Sequence, residues 1–109
     1  MKFQSKLLNN NNFKKGLVSY VLCIHEKHAN LSKCINSIFD QTYPSIELII
    51  VIDNKDKDLE NFIKKITKTK KIKYILNQNN LGLAKSLNKA ILISSGEFIA
   101  RIDSDDICL

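Results

Sequence analysis

Three carboxylates, Asp103, Asp105 and Asp106, follow directly on the apolar run Phe98 to Ile102 near the end of the chain. Carboxylates crowded at a strand end repel one another unless a cation lies among them. All-oxygen donors suit hard cations such as Mg²⁺ or Mn²⁺, and Mg²⁺ is held largely through one or two carboxylates plus a substrate's phosphates. The cluster reads either as a metal-phosphate site or as an acidic turn capping a following helix, and by itself it leaves both open. Other chemistries fit worse. His25-Glu26-Lys27-His28 is one residue short of HExxH, so the two imidazoles cannot share a helical face. Asp53 to Glu60 lacks the Gly and the closing Glu of a calcium loop and reads as a helix start. Gly82-Leu83-Ala84-Lys85-Ser86 lacks the frame that wraps a phosphate, and no GxGxxG follows the first strand. Cys23 reads as a small apolar strand-end residue with no base to activate it.

Those residues sit at the ends of a repeating pattern. Leu17 to Cys23 is rich in β-formers, and Ile46 to Ile52 is apolar almost throughout, as in a strand buried on both faces. Between them Leu31, Cys34, Ile35, Ile38 and Phe39 fall on one helical stripe, with Asn30 as cap and Pro44 beyond the end. A second helix carries Leu59, Phe62, Ile63 and Ile66, and a short strand, Ile72 to Leu76, follows. Leu83, Leu87, Ala90 and Ile91 mark a third helix, with Gly96 as its C-terminal glycine and Phe98 to Ile102 as the next strand. The order βαβαβαβ predicts an α/β fold: a Rossmann-like parallel sheet with right-handed crossovers and helices on both faces. Ligands of such sheets bind beyond the carboxyl ends of the strands. The polar exits His25 and Glu26, Asp53 and Asn54, Asn77 to Asn80, and Asp103 with Asp105 should therefore share one rim.

Composition narrows the function classes. With 109 residues, 44% of them apolar, the chain can bury one modest core, and no linker tract divides it. Residues 1–16 are polar and basic, with four successive Asn, and read as a mobile arm; 17–109 read as the domain. The apolar runs are far shorter than the roughly 20 residues of a membrane span. Cys23, Cys34 and Cys108 show neither metal spacing nor a secretion signal, which points to a reducing, cytoplasmic setting. The net charge of +6 comes largely from Lys64, Lys65, Lys68, Lys70, Lys71 and Lys73. No aromatic or Arg residue is interleaved to stack on bases, so no specific nucleic acid is expected; a solvated face, or peripheral contact with an anionic membrane surface, fits better.

Five segments in order, Val18 to Glu26, Ser37 to Pro44 (SIFDQTYP), Glu47 to Asp53, Asn80-Leu81-Gly82-Leu83-Ala84 with Asn88, and Gly96 to Asp106 (GEFIARIDSDD), resemble family 2 glycosyltransferases of the GT-A type. The forms Asn-x-Gly-Leu and Ala-Arg-x-Asp-Ser-Asp-Asp look like bacterial members that build surface polysaccharide and lipopolysaccharide. The resemblance implies a metal-dependent transfer of sugar from a nucleotide-sugar, UDP-linked in the simplest case, to a glycan or lipid-linked acceptor. It implies donor contacts at Cys23, His25, Glu26, Asp53, Asn80, Gly82 and Asp103, with Asp53 meeting the base, Asp103 the ribose or metal, and Asp105 holding Mg²⁺ or Mn²⁺ on the diphosphate. The family's catalytic base and acceptor half are expected beyond Leu109, which makes a non-catalytic nucleotide-binding fragment the alternative reading.

Overall fold

The structure, a computed structural model, describes residues 2–5, 13–25, 31–67 and 71–103. Five strands and three helices run in the order β1 (Lys2–Ser5), β2 (Lys14–Ile24), α1 (Leu31–Phe39), β3 (Ile46–Ile52), α2 (Lys57–Thr67), β4 (Ile72–Leu76), α3 (Leu83–Ile93) and β5 (Gly96–Ile102). They form one sheet of order β1-β5-β2-β3-β4. The pairs β5-β2, β2-β3 and β3-β4 are parallel, which is the expected βαβαβαβ arrangement.

Alternation along the strands divides the core between the two faces of the sheet. Leu22 and Ile24 of β2, Leu48, Ile50 and Ile52 of β3, and Ala100 and Ile102 of β5 pack against Leu31, Cys34, Ile35 and Ile38 of α1 and Leu59 and Ile63 of α2. The residues between them, Val21, Ile49, Val51 and Ile99, face Ala90 of α3 with Leu87 and Ile91 beside it. Two helices therefore cover one face and α3 the other. Because β3 is covered on both sides, all seven of its residues are buried, which explains a run that is apolar at every position but Glu47.

The structure differs from the expectations in three places. Within the segment read as a mobile arm, Lys2–Ser5 forms β1 and pairs antiparallel with Phe98 to Arg101 of β5; with only four residues, no periodicity marks it. β2 begins at Lys14 rather than Leu17, beyond a register shift against β5 between Lys14 and Val18. Gly96 does not end the third helix. Ser94 is the C-cap, donating both its N–H and its hydroxyl to the Ile91 carbonyl, and Gly96 opens β5. A Cβ at Gly96 would lie 2.5 Å from Ser19 Oγ and 2.7 Å from the Leu17 carbonyl oxygen, so the glycine is there for a close approach of strands and not for a helix end. The expected cap Asn30 lies outside the described residues.

The Gln-Thr-Tyr-Pro segment serves the fold. Tyr20 donates its hydroxyl to Gln41 Oε1 at 3.0 Å, Gln41 returns to the Ile38 carbonyl, and Tyr43 donates to the Gly16 carbonyl. These bonds tie the end of α1 to β2.

Candidate functional site

Parallel pairing sets the exits of β2, β3 and β4 level and brings β5 out two residues lower on the same edge. Ile24 is in register with Ile52, Ile52 with Leu76, and Leu22 with Ile102, so His25, Asp53, Asn77 and Asp103 leave the sheet along one rim. Backbone bonds knit the first three together: Asp53 N–H donates to the Ile24 carbonyl and Asn77 N–H to the Ile52 carbonyl. His25 Nδ1 lies 3.2 Å from the Asp53 carbonyl, and Asn54 Nδ2 donates to the His25 carbonyl.

Asp53 is the centre of this rim. It continues the face of β3 that carries Ile49 and Val51, so its carboxylate points to the α3 side and is only 2% exposed. Oδ1 accepts from Asn77 Nδ2 at 2.8 Å and from the Leu81 amide at 2.7 Å, and Oδ2 accepts from the Gly82 amide at 2.9 Å. Gly82 precedes α3 with φ of 87°, a conformation that favours glycine, and the carboxylate lies where the helix dipole favours negative charge. Burial by itself raises the carboxyl pKa, but the bonds from Asn77, Leu81, Gly82 and the Ser86 hydroxyl outweigh it and hold the pKa below its usual range. The carboxylate expected to meet a nucleotide base is thus turned into the protein, where it clasps the loop after β4 to the tip of β3.

Asn77 is fully buried and serves both sides of that clasp. Its Nδ2 also donates to Ser86 Oγ at 3.0 Å, and its Oδ1 accepts from Lys89 Nζ at 2.9 Å. Neither Ser86 nor Lys89 was marked as a site residue by the sequence. Ser86 stands where the helical stripe called for an apolar residue, and that substitution of polar for apolar was the one signal available. The expected contacts Asn80 and Gly82 lie on the loop so held, with Asn80 exposed.

Cys23 is half-buried on the same side. Burial first, and then the charge of Asp53, push its thiol pKa up, against a hydrogen bond from Ser86 and the charge of Arg101. Asp103 projects from the end of β5 with its side chain 56% exposed, and Arg101 Nη2 lies 3.3 Å from its Oδ1. Its carbonyl accepts from Cys34 Sγ, which anchors the acidic exit to α1. Glu26, Asp105 and Asp106 lie outside the described residues, and among the described residues no group of three metal-ligating side chains converges.

On the α2 side of the same rim, a half-open groove of about 430 Å³ is lined by Lys55, Asp56, Lys57, Glu60, Leu76 and Gln78. Asp56 Oδ1 accepts from the Leu59 amide and so caps α2, while Glu60 pairs with Lys57 and Lys64. Asp53 to Glu60 is the helix start that the sequence suggested.

The description Glycosyl transferase family 2 matches residues 19–109. An uncharacterized glycosyltransferase of Methanocaldococcus jannaschii, MJ1057, is 43% identical over 98 residues, covering 87% of this chain and 34% of its own length. WfgD of Escherichia coli, a UDP-Glc:alpha-D-GlcNAc-diphosphoundecaprenol beta-1,3-glucosyltransferase, is 35% identical over 91 residues, covering 84% of this chain and 36% of its own. The chain thus spans about a third of the length of these curated relatives. The mannosyltransferase PcManGT of Pyrobaculum calidifontis, solved with GDP-Man and Mn²⁺, superposes with a TM-score of 0.75 over 83% of this chain and 28% of its own, at 18% identity, a likeness of fold. With the match running from β2 through the acidic exit of β5, the chain belongs to glycosyltransferase family 2.

Proposed function

We propose that this rim holds the nucleoside diphosphate of a nucleotide-sugar, as the donor half of a metal-dependent transferase acting in surface polysaccharide synthesis. One observation carries the reading: the exits of β2, β3 and β4 stand level with that of β5 two residues lower on the same rim, and the loop that follows β4 is locked to the tip of β3 by the ionised Asp53. UDP is the first candidate nucleotide and a glycan or lipid-linked sugar the acceptor class, in keeping with the relative WfgD.

A hard cation is expected at the β5 exit, where Asp103 offers an exposed carboxylate and the sequence puts Asp105 two residues later. Asp103 and Asp105 would hold Mg²⁺ or Mn²⁺, which would supply neutralisation of the charge that develops on the departing nucleoside diphosphate. The chain's own contribution is positional. Asp53 fixes the Asn80-Leu81-Gly82 loop, Cys34 fixes the start of the acidic exit, and His25 and Asn54 bridge the first two strand ends. Arg101 pairs with Asp103 at 3.3 Å at the start of the acidic exit.

Calorimetric titration of UDP, GDP, ADP and CDP, with and without Mn²⁺, tests the proposal. Mn²⁺-dependent binding of one nucleotide that disappears in Asp105→Ala is the expected result. A chain that circular dichroism shows to be folded, yet binds none of the four, overturns it.

A further inference from the structure

We infer that Lys89 is a positioning residue for the loop 77–82: it fixes the orientation of the Asn77 side chain, through which Asp53 and the loop amides are held in the arrangement a nucleotide would meet. The inference rests on the proposed nucleotide site for its consequence and on side-chain geometry for its substance.

An asparagine amide has two ends of nearly equal shape and opposite hydrogen-bonding sense, so its neighbours decide which way it points. Asn77 is 0% exposed and has no water to correct a wrong choice. On one side stands Asp53, which when ionised only accepts; on the other stands Lys89, which only donates. Between them the amide has one consistent orientation, with Nδ2 toward Asp53 Oδ1 at 2.8 Å and Oδ1 toward Lys89 Nζ at 2.9 Å. Ser86 Oγ, at 3.0 Å from Nδ2, can accept or donate and so does not choose. Without the Lys89 ammonium the buried Oδ1 loses its donor, and the amide is held by Asp53 and Ser86 from its Nδ2 end alone.

Lys89 also supplies charge. Asp53 is buried and ionised, and the ammonium is one side chain removed from it, joined through the polarised amide of Asn77. The helix makes the reach natural. Lys89 lies six residues after Leu83, about 9 Å along α3 at 1.5 Å per residue, and helical side chains lean toward the N-terminus, which here is the end that Asp53 holds. Asp53 engages the first amides of α3 directly, and Lys89 engages the same network from two turns on, so helix, loop and strand tip close into one ring of contacts. In sequence Lys89 looks like any other lysine of a basic chain; its partial burial and its fully buried partner set it apart.

The experiment compares the 109-residue chain with Lys89→Met, which keeps the length of the side chain and removes the donor, and Lys89→Arg, which restores a donor. Two readouts are needed: hydrogen exchange of the Leu81 and Gly82 amides by NMR, beside that of Leu22 and Ile50 in the sheet, and calorimetric affinity for UDP with Mn²⁺. Lys89→Met should speed exchange at Leu81 and Gly82 by about tenfold or more, as for loss of a hydrogen bond from a charged donor, and leave Leu22 and Ile50 unchanged. UDP affinity should fall by a similar factor, and Lys89→Arg should recover most of both. The inference is overturned if Leu81 and Gly82 keep the parent's protection in Lys89→Met, or if all four amides loosen together, since that marks a merely structural role. If the parent binds no UDP while Lys89→Met still frees Leu81 and Gly82, the proposed function fails and the positioning by Lys89 stands.

Discussion

The two ends of β3 each carry a buried carboxylate on the same face, Glu47 at the start and Asp53 just past the end, with Ile49 and Val51 between them. Both acids grip α3. Asp53 takes the amides that precede its first turn, whereas Glu47 takes the Ser95 amide beyond its last turn at 2.6 Å. At that lower end Ser19 Oγ donates to Glu47 and accepts from the Gly96 amide at 2.8 Å. Lys73 lies 3.3 Å from Glu47 Oε1 as an ion pair, although the atoms are not aligned as a hydrogen bond, and its ammonium also donates to the Ile93 carbonyl and Ser95 Oγ. A cation there suits the negative end of the helix dipole. One of the lysines expected on a solvated face is therefore partly spent inside the fold.

The difference lies in what each acid holds. Glu47 binds groups that belong to strand starts and a helix end, so its network closes on itself. Asp53 binds a loop whose neighbours Asn80 and Gly82 remain exposed, so its network ends at the surface. Equal burial and like chemistry thus give one end a closed structural network and the other a network that opens on the proposed site.

The sharpest separation comes from removing each acid. Asp53→Ala leaves the Asn77 amide and the Leu81 and Gly82 N–H groups without their acceptor, and should cost about 3 kcal/mol or more in urea unfolding while abolishing nucleotide binding. Glu47→Ala should cost about 2 to 4 kcal/mol on the same scale yet leave the affinity of the remaining folded protein within about twofold. If Glu47→Ala weakens binding as much as Asp53→Ala, the two ends are not functionally distinct.

Glycines give a second test. Gly96→Ala would press a Cβ against Ser19 Oγ and the Leu17 backbone, and should lower stability by about 2 kcal/mol without touching the upper rim. Gly82→Ala meets no atom within 4 Å, but its positive φ strains any other residue; about 1 kcal/mol of destabilisation with a several-fold loss of nucleotide affinity is expected. Thermal melts paired with calorimetry would separate the two.

Acid should act on both ends alike. Glu47, like Asp53, has its pKa lowered, because hydrogen bonds from Ser19 and Ser95 and the charge of Lys73 outweigh the opposing effect of burial. A carboxyl whose folded pKa is depressed stabilises fully above its unfolded value, ordinarily 4.5 for Glu and 3.8 for Asp, and loses that contribution as pH falls through the folded value. Unfolding free energy should be insensitive to these groups from pH 6 to 8 and decline below about pH 4. In Glu47→Ala the decline should be shallower, and a decline of unchanged steepness would remove Glu47 from the account.

The sequence was a good guide wherever a residue's role depends on its near neighbours in the chain. The stripe Leu31, Cys34, Ile35, Ile38 specified α1, and the nearly continuous apolar run Ile46 to Ile52 specified a strand covered on both faces, because period and run length are local quantities. The rim was legible too, since polar residues directly after apolar strands must leave a parallel sheet at one end. What could not be read is where the distant partners fall. Gly96 after a helix looked like a helix-ending glycine until Ser19, 77 residues earlier, proved to occupy the space of its Cβ. Asp53 looked like a ligand contact, and it is the Leu81 and Gly82 amides, 28 and 29 residues on, that turn it inward. Lys73 and Lys89 resemble the other lysines until Glu47 and Asn77 are placed beside them. Hydrophobic patterning, which repeats over a few residues, determined β2 to β5, the helices and their order, and the motifs at the strand ends carried the resemblance to the family. The direction of each buried polar group was decided by tertiary structure alone, because a hydrogen bond depends on where its partner lies in space and not on its separation in the chain.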